Sequence, residues 1–266
     1  MTVAEKILVV VSSNRDTHPG LERIKRLTSE AGKAIDLEVI IQVMANLEYV
    51  ERELHQTTIT RDFDWIHTFK SDIDELGIKN RLLVSWSSDW AQSLVDAVEE
   101  YGITLAFVPF YGTLRASMLS DERWKFLRKT RVPVMLAVDS DDASRGKILA
   151  SVKSQDPQYD SRNAAVLAMT QRTAQIFGSE IHVVNAYSDS MDFPDRGQLA
   201  KAAGIDADRV HIKVGDPEDV IRDVATEQGI DLVLIASQRR QGFKGRLRGN
   251  TVEKIVGKLD CDILMI

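Results

Sequence analysis

The stretch from Ser93 to Val108 returns, without a gap, from Val220 to Ile235: Asp96 matches Asp223, Glu100 matches Glu227, Gly102 matches Gly229, Ile103 matches Ile230 and Leu105 matches Leu232. No other feature constrains the fold as strongly, because a duplication sets domain number and element order together. In each copy a helical stretch runs to a glycine, which can adopt the left-handed conformation that ends helices, and an apolar run follows at once. A continuous apolar run is what a parallel strand buried on both faces requires. Each copy therefore reads as a helix delivering a buried strand.

The rest of the chain falls into place around that unit. Lys6–Ser12 and Lys147–Lys153 are matching apolar runs that open the two halves, and Val132–Val138 and Cys261–Ile266 close them. Strands are predicted over Asp36–Met44 and Asn80–Trp86 in the first half, and over Glu180–Ala186 and Arg209–Val214 in the second. Ile66, Phe69, Ile73 and Leu76 recur at helical spacing. The order β-α-β-α-β-α-β-α-β, taken twice, predicts an α/β chain of two tandem doubly wound domains. Each is a five-stranded parallel sheet with right-handed crossovers and helices on both faces. Residues 1–140 are expected to form the first domain and residues 145–266 the second. The polar, turn-rich Asp139–Gly146 is a linker short enough to keep them close.

With 266 residues, 44% of them hydrophobic and 28% charged, the composition is that of an ordinary globular protein. A net charge of -6 argues against general nucleic-acid affinity, so any polyanion site must be local. No apolar run approaches the roughly eighteen residues of a membrane span. Met1–Lys6 leads into a strand without the marks of an export signal, and a cytoplasmic protein is expected. The single cysteine, Cys261, lies in an apolar run and is expected to be a buried, inert thiol. His18, His55, His67, His182 and His211 show no spacing that sets two on one helix face beside a carboxylate, which argues against a metal site.

In open α/β sheets, ligands bind beyond the carboxyl ends of the strands, where the strand order reverses. After its fourth strand the second half carries Gly242, Gly245 and Gly249 among Arg239, Arg240, Lys244, Arg246 and Arg248, a basic island in an acidic chain. Glycines let backbone approach an anion, and a helix predicted from about Thr251 directs free amides at the loop. The same residues fit a second reading equally well, with Asn250 as a helix N-cap, Glu253 closing a capping box and the arginines solvated. The corresponding loop of the first half, Phe110–Asp121, has one glycine and none before its helix, so no phosphate cradle is expected there. Asp62, Asp64, Asp72, Asp74 and Glu75 read as a solvated helix face. Trp86 and Trp90 read as packing aromatics rather than pocket walls.

A strand followed by spaced glycines and a Gly-Asn-Thr step into a helix, with Val214–Pro217 after the third strand, resembles the ATP-binding signature of the universal stress protein family. Trp124–Lys129 with Val132–Val134, and Gly249–Thr251, are similar to the family's tandem-domain branch, and the resemblance covers both halves. It implies an adenine nucleotide alpha hydrolase-like fold and an intrachain pseudo-dimer in which Val132–Val138 pairs with Cys261–Ile266, leaving a further homodimer open. It also implies a cofactor-binding set of Lys153, Ala186, Ala236, Arg239, Gly242, Gly245, Gly249, Asn250 and Thr251. The implied ligand is ATP or another phosphate-bearing small molecule, with Mg only if ATP binds. Three positions depart from the pattern. Ala236 and Arg239 stand where the first two signature glycines belong, although the spacing from Arg240 to Arg248 is kept. Lys153 stands where an aspartate is common, as does Ser12 in the first half.

No nucleophile, base and oxyanion constellation is legible, and no dinucleotide fingerprint follows a first strand. The expected function is that of a non-enzymatic stress-response binding or regulatory protein. It would sense or sequester a small ligand and act through protein partners, with no direct contact to nucleic acid or membrane. The alternative is an ATP-binding switch with weak ATPase or autophosphorylation activity confined to the second domain.

Overall fold

A computed structural model describes residues 3–13, 15–31, 35–44, 63–85, 87, 89–111, 121–139, 146–188, 193–237 and 251–266. These divide into two compact units, one ending at Asp139 and the other beginning at Gly146 among the described residues. The first contains β1 (Val3–Ser12), α1 (Pro19–Ala31), β2 (Ile35–Met44), α2 (Phe63–Asp74), β3 (Lys79–Ser85), α3 (Trp90–Tyr101), β4 (Leu105–Phe110), α4 (Asp121–Lys129) and β5 (Val134–Val138). The second contains β6 (Lys147–Ser151), α5 (Asp160–Phe177), β7 (Glu180–Tyr187), α6 (Arg196–Ala203), β8 (Val210–Val214), α7 (Pro217–Gln228), β9 (Leu232–Ile235), α8 (Thr251–Val256) and β10 (Asp262–Met265).

Both sheets are parallel and doubly wound. Their strand orders are β3-β2-β1-β4-β5 and β8-β7-β6-β9-β10. The central strands are buried on both faces, with Leu8, Val9, Ile148, Leu149, Val233 and Leu234 all fully inaccessible, as their unbroken apolar sequences require. The order reverses between β1 and β4 in the first unit and between β6 and β9 in the second, which sets the crevice where each unit can take a ligand.

The duplicated segment is duplicated in detail. Gly102 and Gly229 end α3 and α7 in the left-handed region at φ 63° each. The next residue turns its amide back onto the helix, Ile103 to the Val98 carbonyl at 3.0 Å and Ile230 to the Ala225 carbonyl at 2.9 Å. A lysine of each unit's first strand then satisfies a terminal helix carbonyl: Lys6 Nζ donates to Tyr101 O at 3.3 Å, and Lys147 Nζ to Gln228 O at 3.0 Å. A cation suits that end of the helix, where free carbonyls concentrate negative charge.

Element ends differ from the sequence expectation where backbone chemistry intervenes. β5 starts at Val134 rather than Val132, after Pro133, which has no N–H to give a ladder. α2 ends at Asp74, so Leu76 lies half-buried in the turn beyond it. Cys261 lies just outside β10 and is half-buried, not enclosed within the strand. Trp90 is 6% exposed and packs in the core. Asp72, Asp74 and Glu75 are solvated, Asp74 accepting from Lys70 and Asn80. Asp62, Trp86, residues 112–120 of the loop after β4 and residues 140–145 of the linker lie outside the described residues.

Candidate functional site

At the switch point of the second unit the chain opens a cleft of about 550 Å³, within the usual range for small-molecule sites. Four of the expected residues line it: Lys153, Ala186, Ala236 and Thr251. They come from four separate stretches. Lys153 follows β6, Ala186 lies near the end of β7, Ala236 follows β9 and Thr251 begins α8. Arg239, Gly242, Gly245, Gly249 and Asn250 lie outside the described residues.

The Lys153 wall is held by side-chain to backbone bonding. Asn163 on α5 accepts from Lys153 N at 3.0 Å through Oδ1 and donates to Lys153 O at 2.8 Å through Nδ2. That reciprocal clamp fixes the backbone while the ammonium stays in solvent, 4.5 Å from the centroid of the Tyr159 ring. At this distance the aromatic face favours the cation without neutralising it.

The floor is polar. Asn185 is fully buried; its Nδ2 donates to Val152 O at 3.2 Å and to Ser154 Oγ at 2.9 Å. Its Oδ1 accepts from Gln155 Nε2, which also donates to Ala186 O at 3.2 Å. The Gln155 amide is thus committed on its nitrogen side, whereas Oε1 is buried with no partner among the described residues. An unpaired acceptor beside a cleft is a place where a ligand donor gains a bond without displacing one.

The opposite wall is the turn from β8 into α7. Gly215 has φ 141° and donates to Tyr187 O at 3.0 Å, and Pro217 starts α7, where a missing N–H is harmless. Gly215, Asp216 and Pro217 all face the cleft. α8 and the turn after it are fastened to α7 by two ion pairs, Lys254 Nζ to Glu218 Oε1 at 2.9 Å and Lys258 Nζ to Asp219 Oδ1 at 2.7 Å. Burial works to raise the Glu218 carboxyl, but the Lys254 hydrogen bond and charge prevail with the other bonds and hold it below its ordinary value. Hydrogen bonding to Lys258 likewise lowers Asp219. These pairs keep Thr251 at the cleft.

The corresponding strand ends of the first unit carry different chemistry. Ser12 and Ser13 are buried there, and the Arg15 guanidinium lies 4.9 Å from the centroid of Tyr111. The Tyr111 hydroxyl donates to Thr17 O at 3.2 Å. Among the described residues no group of three or more histidine, cysteine or acidic side chains is placed to hold a metal, and no helix is long and apolar enough to cross a membrane.

Sequence reasoning missed Gln155, Tyr159 and Asn163 at this cleft, and the buried Asn185 that holds Gln155. Asp156, which accepts from Gln158 N at 3.1 Å and is followed by Pro157, marks a turn there, and that local signal was available. The pairing of Gln155 with a residue 30 positions away has no local signal.

The pattern of the Universal stress protein family matches residues 134–266. The chain belongs to the universal stress protein family. Relatives in this family align along its whole length. Universal stress protein E of Escherichia coli K12 is 26% identical over 299 aligned positions, covering 100% of this chain and 95% of the relative. The universal stress protein E homolog of Haemophilus influenzae is 25% identical, covering 98% and 97%. A universal stress protein structure from Archaeoglobus fulgidus superposes with a TM-score of 0.70 at 15% identity, covering 98% of this chain and 95% of the other. One from Pseudomonas aeruginosa UCBPP-PA14, assigned to the same family, gives 0.77 at 20% identity, covering 98% and 92%. The fold is that of the universal stress proteins, and membership places the chain in the stress response.

Proposed function

We propose that this protein is a non-enzymatic binding protein of the cytoplasmic stress response, and that its second unit senses or sequesters a phosphate-bearing small molecule. The observation that carries the reading is the convergence of Lys153, Ala186, Ala236 and Thr251 on one cleft at the switch point. Lys153 offers a solvated positive charge to an anionic group, and the Thr251 hydroxyl can donate to another. Gln155 Oε1 asks for a ligand donor, such as an amino or hydroxyl group, at the polar floor. A molecule with a donor-bearing head and a phosphate tail meets all three demands, and protein partners would read its occupancy.

ATP is a member of that ligand class. The placement of Thr251 beside Ala236, where the family signature ends, supports the second reading, an ATP-dependent switch with Mg bound only through the nucleotide. Ligand released from the purified protein and identified by mass spectrometry tests the first reading, and a melting scan with Mg-ATP tests the second. A ligand that binds only the folded state stabilises by about 2.7 kcal/mol at a hundredfold excess over Kd. No shift at millimolar Mg-ATP removes the switch. Phosphate-free extracts and no shift with any nucleotide or sugar phosphate remove the first reading as well.

A further inference from the structure

A second cleft, also of about 550 Å³, lies in the first unit between α3 and the strands β2 and β3. Its lining includes Gln42, Ser85, Ser93, Asp96, Glu100 and Tyr101. Gln42 is 3% exposed, between apolar neighbours near the end of β2. Its Nε2 donates to Ser93 Oγ at 3.0 Å, and Ser93 Oγ lies 3.2 Å from Ser85 Oγ, but Gln42 Oε1 has no partner among the described residues. A buried amide with half its capacity unused is costly unless something else supplies the donor.

The second unit is an internal control for this place. Ile7 pairs with Leu105 as Ile148 pairs with Leu232. From that anchor the strand registers give Gln42 the position of Val184 and Ser85 the position of Lys213. The ungapped repeat gives Ser93 the position of Val220 and Glu100 that of Glu227. Val184 and Val220 are buried and apolar, so the fold itself has no need of a polar pair there. Lys213 Nζ binds Glu227 at 2.6 Å. In the first unit serine replaces that lysine, and Glu100 has no ion-pair partner among the described residues.

The nearby lysines are otherwise engaged, and the nearby arginine packs on an aromatic ring. Lys125 binds Asp89 at 2.6 Å, Lys129 donates to Gln92 Oε1 at 2.6 Å, and Arg81 lies over the Tyr101 ring at 5.3 Å. Among the described residues, Asp96 accepts only from the neutral Gln92 amide, at 2.8 Å. Asp96 and Glu100 therefore face the cleft without an ion-pair partner among the described residues, beside a buried acceptor that lacks a donor.

We propose that this cleft binds a small aliphatic ammonium compound carrying a second hydrogen-bond donor. The ammonium takes the place that the Lys213 side chain holds in the second unit, between the carboxylates and Ser85. The second donor serves Gln42 Oε1. The site is separate from the cleft at Lys153, and its test does not depend on what that cleft binds.

Titration with 1,4-diaminobutane, followed through the Gln42 side-chain amide and the α3 backbone amides by NMR, tests this. Saturable shifts confined to those signals, with a Kd of about 1 mM or tighter, are expected, and 1,4-butanediol should not reproduce them. Ser85→Lys, which restores the internal ammonium, should weaken binding at least about tenfold. Gln42→Val combined with Ser93→Val, the pair the second unit carries, should do the same and serves if Ser85→Lys fails to fold. Absence of saturable shifts in the wild-type chain, equal shifts with the diol, or undiminished diamine binding in a folded variant would overturn the proposal.

Discussion

Two histidines distant in sequence meet in the second unit. His182, 3% exposed, stacks on His211 with ring centroids 5.2 Å apart, and their Nδ1 and Nε2 atoms share a hydrogen bond of 2.9 Å. His182 Nε2 reaches Glu180 Oε1 at 2.7 Å. The shared bond needs one ring nitrogen as acceptor, so both imidazoles cannot be charged while it persists. Burial, followed by the proximity of His182, holds His211 below its ordinary 6.5. The unfolded chain therefore takes up this proton first. Stability from the neutral ring is complete above 6.5 and is lost as pH falls through the depressed folded value. A melting series from about pH 7.5 down to about pH 5.5 should show Tm declining in the wild type and a flatter profile in His211→Gln; equal slopes would refute this origin. Gly215 makes a sharper demand at the Lys153 cleft. Its φ of 141° is unfavourable for a side chain, and an added Cβ would meet Val220 Cγ2 at 3.3 Å. Gly215→Ala should cost about 1–3 kcal/mol by denaturant unfolding, and a neutral result would mean that the turn relaxes freely.

At the scale of elements, the paired helix ends allow a matched experiment. Gly102 and Gly229 share one conformation, and a Cβ on either meets nothing within 4 Å. Alanine there tests backbone conformation alone, so Gly102→Ala and Gly229→Ala should each destabilise by about 1–2 kcal/mol. Unequal costs would show that the repeat is not energetically equivalent. The α7–α8 clasp gives a pH-dependent counterpart. Because the Glu218 carboxyl is lowered in the fold, its contribution is present above its ordinary 4.5 and disappears as pH falls through the folded value. Glu218→Gln should lower Tm at neutral pH and converge with the wild type in acid; a constant gap across pH would assign the loss to packing. The helix-glycine-strand step was legible because its signals are local: a capping glycine and an unbroken apolar run. The cleft was legible only at its strand ends and at the start of α8. Asn185 and Gln155, or Gln42 and Ser93, become neighbours only when parallel crossovers set register across 30 and 51 positions. His182 and His211 escaped for the same reason, since they pair across adjacent strands rather than along one helix.

Across the whole chain, one fold carries two clefts of opposite chemistry. Each holds a buried glutamine oxygen with no partner among the described residues, but the first unit sets Asp96 and Glu100 beside it and the second a solvated lysine and a hydroxyl. Duplication made this divergence inexpensive in structural terms, because each sheet retains its own buried strands while the residues at its margins change. Ser85 against Lys213 and Ser12 against Lys153 are the clearest cases, each a change of charge at an equivalent place. It follows that ligands should sort by sign between units of the same molecule. Hydrogen exchange with 1,4-diaminobutane should protect amides of α3 and β3 and leave residues 151–155 and 215–221 unchanged. A phosphate-bearing ligand of the second unit should give the reverse pattern, and Lys153→Ala should abolish only that one. Added salt should weaken both, because each relies on exposed charge that ions screen over about 10 Å. If either ligand protected both sets of amides equally, the two sites would be one coupled system, and the division between the halves would have to be abandoned.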